Sequence, residues 1–142
     1  MVVLGLVLGC ADDGTPPPIY DPCNPLEVTG DDAATIANAA ALWNAVGVTE
    51  MGQPGGVSIP LVFEGGVAPQ DYGLYAGSAI FMNADLAEDK RGIVLAHELG
   101  HAMGLVHVTD RPSVMNPGNL TVGPTAADYA AVVALWGTCP VR

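Results

Sequence analysis

The sequence predicts an α+β fold. Three segments carry apolar residues at helical spacing, and two short apolar segments have the character of β-strands. Both strand segments lie between the first and the second helical segments. The 142 residues suffice for one domain with a substantial core and not for two.

The first helix is predicted to begin just after Gly30, where Asp31 or Asp32 can cap its free amide groups and suits the helix dipole. Apolar side chains, including that of Trp43, then recur at helical spacing. Gly47 is predicted to end this helix.

Two strands are predicted after the first helix. Residues 57–63 alternate well enough for a strand and are flanked by glycine pairs. Pro60 within them indicates an edge position or a bulge, because proline has no amide hydrogen to give to a ladder. Residues 66–75 predict a loop, and residues 77–83 predict the second strand.

The second helix is predicted to begin between Leu86 and Asp89 and to run to Met103, with the largely apolar surface that is typical of a central, buried helix. Residues 124–137 predict a final helix capped by Thr125. Polar side chains near the start of the second helix could bind calcium, but helix capping and the helix dipole explain acids there equally well. These side chains are Asn83, Asp85, Glu88 and Asp89.

All three histidines of the chain lie within eleven residues of the second helix and the segment after it. His97 and His101 are four residues apart, so they share one face of a helix and can bind one metal ion together. Glu98 lies one step around the helix and is a candidate general base. Gly104 is suited to end the helix in a sharp turn that returns His107 as a third ligand. Three nitrogen ligands with an open fourth position are typical of a catalytic zinc site.

This pattern resembles the metzincin metalloproteases, whose signature H-E-x-x-H-x-x-G-x-x-H is followed by a methionine turn. Met115 is the candidate turn methionine, and Pro117 two places later is similar to the matrixins among them. The resemblance extends loosely over residues 31–137. It implies a zincin-like catalytic domain, with a small twisted mixed sheet, a first helix, a central active-site helix and a C-terminal helix.

The resemblance implies a zinc-dependent endopeptidase acting on proteins or peptides. The ligands of one catalytic Zn²⁺ would be His97, His101 and His107. Glu98 would take a proton from a water on the metal and return it to the leaving amine. Asn116 and Pro117 would line the pocket for the residue after the cut. The second strand would border the cleft and align the substrate along its free edge, although an inner position for that strand is equally compatible with the sequence.

A second, structural zinc is not expected, because residues 68–76 contain no histidine and one aspartate, where matrixins have a His- and Asp-rich segment. Calcium is possible but unsupported. Three alternatives remain beside the protease. One is a buried helix whose histidines are only hydrogen-bonded, the second is a non-catalytic surface lipoprotein that keeps the zinc as a binding module, and the third is a structural zinc site completed by Cys23. The presence of Glu98 argues against the second alternative.

The net charge of −11 argues against nucleic acid as a partner, because nucleic-acid binding depends on lysine and arginine. The chain has four such residues, Lys90, Arg91, Arg111 and Arg142. Acidity can favour basic substrates, but its commoner effect is solubility. A monomer is expected.

Residues 1–10 resemble a secretory signal that ends in a bacterial lipobox with Cys10 as the lipidated residue. Two features depart from that pattern: no basic residue precedes the apolar run, and Leu8 replaces a small residue. A plain secretory signal is the alternative. Residues 11–25 predict a proline-rich linker, and residues 26–142 the catalytic domain. The protein is therefore expected to be exported, as a surface or outer-membrane lipoprotein or in secreted form, with contact to a membrane only through the lipid.

Cys23 and Cys139 flank the predicted domain, and a disulfide between them is the simplest account of the remaining pair in an oxidising compartment. A rival role exists for Cys23, because matrixin propeptides silence the zinc with a cysteine. The residues around Cys23 lack the arginine before it and the glycine after it that this propeptide motif carries.

Overall fold

The structure is a computed structural model that describes residues 19–64 and 72–140. It contains four strands and three helices within those ranges. They are β1 (Leu26–Thr29), α1 (Ala33–Val46), β2 (Val57–Glu64), β3 (Gly73–Tyr75), β4 (Ile80–Asn83), α2 (Glu88–Ala102) and α3 (Ala126–Trp136). The predicted α+β fold is confirmed. The predicted signal with Cys10, most of the predicted linker and residues 65–71 lie outside the described residues, so the predictions about them stay predictions.

The strands form one mixed sheet in the order β1-β2-β4-β3. β1, β2 and β4 are parallel, and β3 pairs with β4 in the antiparallel direction. The strand predicted at residues 77–83 is therefore an inner strand, and among the described strands β3 lies at that end of the sheet. β3 falls in the segment predicted to be a loop, so this part of the prediction is wrong.

Pro60 predicts an edge position or a bulge, whereas β2 as a whole is an inner strand between β1 and β4. At Pro60 itself, however, β2 pairs with β1 alone, so the position is locally an edge. The pairing explains how an inner strand accommodates a proline. Thr29, the last residue of β1, pairs with Pro60, and pairing with β4 begins only at Leu61. Pro60 thus lies at the end of the β1 ladder and before the β4 ladder begins, a position that tolerates a residue without an amide hydrogen.

The first helix packs against the second through the indole of Trp43. This side chain is fully buried, and its Nε1 donates a hydrogen bond of 2.9 Å to the carbonyl oxygen of Ala96 in α2. The two helices also approach closely at Gly92, where a Cβ would lie 3.2 Å from Asn38 Cβ. As predicted, α1 is capped by an aspartate, Asp32, whose side chain accepts from the amide of Thr35.

The segment before β1 is hydrogen-bonded to the end of α2. The amide of Tyr20 donates to the carbonyl oxygen of Ala102 at 2.8 Å, and its hydroxyl donates to the carbonyl oxygen of Gly77 at 2.7 Å. A disulfide then joins Cys23 to Cys139, just after α3. Both ends of the described chain are therefore attached to the body that carries α2.

The last helix lies within the predicted residues 124–137, and Thr125 caps it as predicted. Thr125 and Asp128 form a capping box at its start, and Gly137 follows its last turn. The indole of Trp136 donates to the carbonyl oxygen of Met103 at 2.8 Å, which holds α3 against the end of α2. Within residues 19–64 and 72–140, no helix has the length and apolar character needed to span a bilayer.

Candidate metal centre

The candidate centre is built on α2, which starts at Glu88 and ends at Ala102. Most of its second half is buried, and apolar residues lie on several of its faces. The buried apolar residues are Val94, Leu95, Ala96, Leu99 and Ala102. His97, at 4% exposure, and the partly exposed His101 project from adjacent turns of this rigid segment.

The chain turns sharply after α2 at Gly104. The φ angle of Gly104 is +94°, which a residue with a side chain adopts only with strain. The amide of Gly104 donates to the carbonyl oxygen of His101 at 2.9 Å, and that of Leu105 donates to Gly100 at 2.9 Å. This turn reverses the backbone and carries His107 back toward the two histidines of the helix.

The three imidazole rings converge. One ring nitrogen from each histidine lies within 4.8 Å of the others, and Nε2 of His101 is 3.3 Å from Nε2 of His107. Two ligands of a tetrahedral zinc at 2.0–2.1 Å lie roughly 3.3 Å apart. The spacing of His101 and His107 therefore equals that of two zinc ligands.

Backbone carbonyls orient two of the rings. His97 Nδ1 is 2.7 Å from the carbonyl oxygen of Val114, and His101 Nδ1 is 2.8 Å from that of Leu105. A carbonyl can only accept, so Nδ1 carries the hydrogen in both neutral rings and leaves the Nε2 lone pair for a metal.

His97 is well suited to stay neutral. Burial lowers its pKa to about 3, and the nearby His101 and His107 add to the effect. Its Nε2 is buried and has no hydrogen-bond partner among the described residues. A metal ion would supply that partner, so the residues present fit the zinc that the sequence predicts.

Other metal sites are not assembled by the described part of the chain. There the three histidines are the only group of three or more His, Cys, Asp or Glu side chains close enough to share an ion. The acidic residues at the start of α2 do not converge in this way. Cys23 is bonded to Cys139, so its sulfur is not available as a fourth ligand or as a silencing thiolate.

Glu98 follows His97 in the chain and is fully buried, on the side of α2 that faces β3. One of its carboxylate oxygens, Oε2, accepts a hydrogen bond of 2.9 Å from the backbone amide of Tyr75. The approach is close, because a Cβ at Gly73 would lie 3.2 Å from Glu98 Cγ. The candidate base is therefore held against the outer strand of the sheet.

Met115 lies directly beneath the helix that carries His97 and His101. Its side chain is fully buried, and its Sδ occupies the space that a Cβ at Gly100 would need. Gly100 separates Leu99 from His101, so the sulfur packs against the backbone between the two helical histidines. The same turn supplies Val114, whose carbonyl oxygen holds His97.

Asp128 of α3 is buried against this turn, at 1% exposure, and hydrogen-bonds to it. Its carboxylate accepts four hydrogen bonds. The donors are Ser113 Oγ, Arg111 at 2.9 Å, and the amides of Val114 and Thr125 at 3.0 Å each. Burial alone would raise the pKa of Asp128, but these hydrogen bonds outweigh it and hold the pKa below the usual value.

We expect Asp128→Asn to destabilise the protein by about 1–3 kcal/mol at neutral pH, because an amide cannot accept all four bonds. A carboxylate whose pKa is lowered on folding stabilises above its unfolded pKa of about 3.9, and this contribution is lost as pH falls through the folded value. The difference in unfolding free energy between wild type and variant should therefore shrink below about pH 4. Urea unfolding at pH 7 and pH 3 measures it, with exposed Asp31→Asn as the control. An Asp128→Asn difference of the same size at both pH values would contradict the expectation.

A small recess lies beside His97. It is lined by Tyr72, Val94, His97, Gly118 and Asn119. Asn116 and Pro117, the predicted pocket residues, are not among them.

Asn116 instead braces the turn. Its Nδ2 donates to the carbonyl oxygens of Val108 and Arg111 at 2.8 Å each, and its Oδ1 accepts from the amide of Ser113 at 2.9 Å. Pro117 is exposed.

Sequence reasoning missed two residues that support the site. The signal for Asp128 was present, because a threonine followed three places later by an acid is a capping pattern, and that acid can also face the protein interior. No local signal could have indicated the amide of Tyr75, since its bond to Glu98 joins residues 23 positions apart.

The fold and the histidine cluster together support a zinc-metallopeptidase-like function. In agreement with this class, the family model described as Matrixin matches residues 78–137, from just before β4 to the end of α3. A comparison with curated proteins gives no match. The matched segment contains the three histidines, Glu98 and Met115.

Proposed function

We propose that this protein is an endopeptidase that depends on a single zinc ion. The observation that supports this most directly is the convergence of His97, His101 and His107, each offering a ring nitrogen within 4.8 Å of the others. The match to the matrixins over residues 78–137 supports the same class. The three imidazoles would hold Zn²⁺ with a fourth position for water, as in catalytic zinc sites.

In this proposal the ion, when bound, supplies Lewis acidity to a water molecule and to the scissile carbonyl. Glu98 accepts the proton of the attacking water at its carboxylate and delivers it to the amine of the leaving peptide. His97 and His101 are kept in the ligand tautomer by the carbonyls of Val114 and Leu105. Met115 and Asp128 fix the turn from which one of those carbonyls projects.

The substrate is proposed to bind in an extended conformation along β3 rather than along β4, through groups of that edge other than the Tyr75 amide, which donates to Glu98. β3 is the outer strand on that side of the sheet among the described residues, whereas both edges of β4 are paired. Main-chain hydrogen bonds to a strand edge suit polypeptides of varied sequence.

We further propose that the protein is exported. The Cys23–Cys139 disulfide is consistent with an oxidising compartment. Lipid attachment at Cys10 and division of the chain at residues 10 and 25 remain proposals from the sequence. A non-catalytic zinc-binding module is the alternative, and the buried carboxylate of Glu98, the residue after His97, favours the enzyme.

The decisive experiment is cleavage of casein or gelatin by the purified protein. We expect cleavage that stops when zinc is removed with a chelator and returns when zinc is restored. His107→Ala should bind zinc more weakly and lose cleavage with it, because two ligands are left. One zinc per chain without any cleavage would support the binding module, and unchanged zinc content in His107→Ala would show that the third ligand is misassigned.

A further inference from the structure

The pairing of β3 with β4 determines which backbone groups of β3 face outward. The amide of Asn83 donates to the carbonyl oxygen of Tyr72, and the amide of Ala76 donates to that of Ala79, each at 2.9 Å. Hydrogen-bonded pairs alternate along an antiparallel ladder, so Leu74 and Phe81 form the pair between them. The amide and carbonyl of Tyr75 must then point away from β4.

The outward amide of Tyr75 does not simply face solvent. It donates a hydrogen bond of 2.9 Å to Glu98 Oε2, and Tyr75 is 6% exposed. A hydrogen bond from an amide to a carboxylate is charge-assisted and stronger than one between neutral groups. The outer edge of the sheet and the candidate general base are thus joined directly.

The lack of a side chain at Gly73 makes this contact possible. A Cβ there would lie 3.1 Å from Val94 Cγ1, 3.2 Å from Glu98 Cγ and 3.3 Å from Glu98 Oε1. These distances are shorter than ordinary van der Waals contact, so a larger residue requires the side chain of Val94 or Glu98 to shift by a few tenths of an ångström. Gly73 and the amide of Tyr75 therefore contact the Glu98 side chain at two neighbouring points of one strand.

We propose that β3 is a positioning element for Glu98, in addition to any role as a substrate-binding edge. The Tyr75 amide fixes one carboxylate oxygen, and Gly73 leaves the space in which the carboxylate lies. This inference rests on the proposed function for its catalytic consequence, but the contact itself does not. Loss of the contact should lower kcat more than it raises KM, because it misplaces the proton acceptor without removing the histidines.

Tyr75 is itself held in place from the other side. Its ring meets that of Tyr20 edge to face with centroids 6.4 Å apart, and both hydroxyls lie within hydrogen-bond distance of the carbonyl oxygen of Gly77. The segment before β1 thereby restrains the strand that restrains Glu98. This restraint gives β3 the rigidity that a three-residue strand lacks by itself.

The contact can be tested without catalysis by amide hydrogen exchange in the full-length protein. We expect the amide of Tyr75 to be protected, and Glu98→Ala to accelerate its exchange at least about tenfold, because the charge-assisted acceptor is lost. The amide of Phe81, in the ladder between the same two strands, is the matched control and should change little. Equal protection of Tyr75 in wild type and Glu98→Ala would overturn the proposal whether or not the protein is a protease.

The catalytic consequence is tested by replacing the amide of Tyr75 with an ester, which exchanges its N–H for an oxygen that cannot donate. We expect kcat to fall about ten- to hundredfold, the factor that corresponds to one hydrogen bond to a charged group, with little change in KM or in bound zinc. The same replacement at Phe81 removes a ladder bond and should lower thermal stability without this loss of kcat. Equal kcat values for the two esters would overturn the positioning role.

A pair of glycine variants gives a second test that needs no chemical synthesis. Gly73→Ala should lower kcat and accelerate exchange at the Tyr75 amide, because the new methyl group displaces the carboxylate. Gly123→Ala is the control, since its Cβ would meet only Leu42 at 3.4 Å and Ile93 at 3.8 Å. Wild-type kcat and exchange in Gly73→Ala would contradict the proposal.

Discussion

Glu98→Gln is expected to retain zinc and to lose at least about a hundredfold in kcat, the contribution typical of a positioned acid–base group. Glutamine has nearly the same shape, and its carbonyl oxygen can still accept from the amide of Tyr75. It cannot take a proton from water at neutral pH, however. The variant therefore separates the proton transfer from the position of the side chain.

The measurement is initial-rate cleavage of a protein substrate together with zinc content after dialysis. Glu88→Gln is the matched control, because Glu88 lies in the exposed first turn of the same helix and contacts no histidine of the cluster in the described structure. We expect it to cleave as wild type does. Cleavage by Glu98→Gln within a factor of a few of wild type would remove Glu98 from the mechanism.

The helical part of the site could be predicted because its determinants are local. Two histidines four residues apart share a face of any helix, and a glycine three residues later allows the turn that returns the third. The helix ends could be predicted for the same reason, since Asp32, Thr125 and Gly137 cap their helices through residues that are close in sequence. Each of these signals acts over a few residues, so the surrounding fold does not alter it.

The sheet was harder to predict because strand pairing depends on distant residues. β3 has three residues and contains glycine, so no alternation marks it, and only its pairing with β4 makes it a strand. β1 begins directly after Pro25, and its neighbour β2 lies beyond the whole of α1. Pro60 misled for the same reason, because the position at which β2 changes partners is set by the ends of β1 and β4.

The contacts that support the site also join residues that are distant in sequence, so they were equally hard to predict. Asp128 reaches the methionine turn from 14 residues away, and Tyr75 reaches Glu98 across 23 residues. Sequence can name the residues that bind or react, since chemistry restricts their type. It cannot name a backbone amide or carbonyl that holds them, because every residue except proline offers both groups.

Removal of the Cys23–Cys139 disulfide is expected to lower the free energy of unfolding by about 4–5 kcal/mol on the chain-entropy account. The two cysteines are 116 residues apart, so the bond closes nearly the whole described chain into one loop. Opening it also releases the segment with Tyr20, which holds β3 through Gly77. The variant Cys23→Ser with Cys139→Ser should therefore be marginal in stability, as small domains have about 5–15 kcal/mol in total.

Urea unfolding of the metal-free protein measures this loss, since bound zinc would add its own stabilisation to the folded state. A reductant provides the matched control, because it should bring the wild type down to the midpoint of the double variant and leave the double variant unchanged. A loss well below 2 kcal/mol would mean that native-state strain or residual structure in the unfolded chain offsets most of the loop entropy. Cleavage activity measured at low temperature, where the variant stays folded, should fall only to the extent that release of Tyr20 loosens β3. The segment that contains Tyr20 and Cys23 would then contribute both to the stability of the fold and to the rate of catalysis.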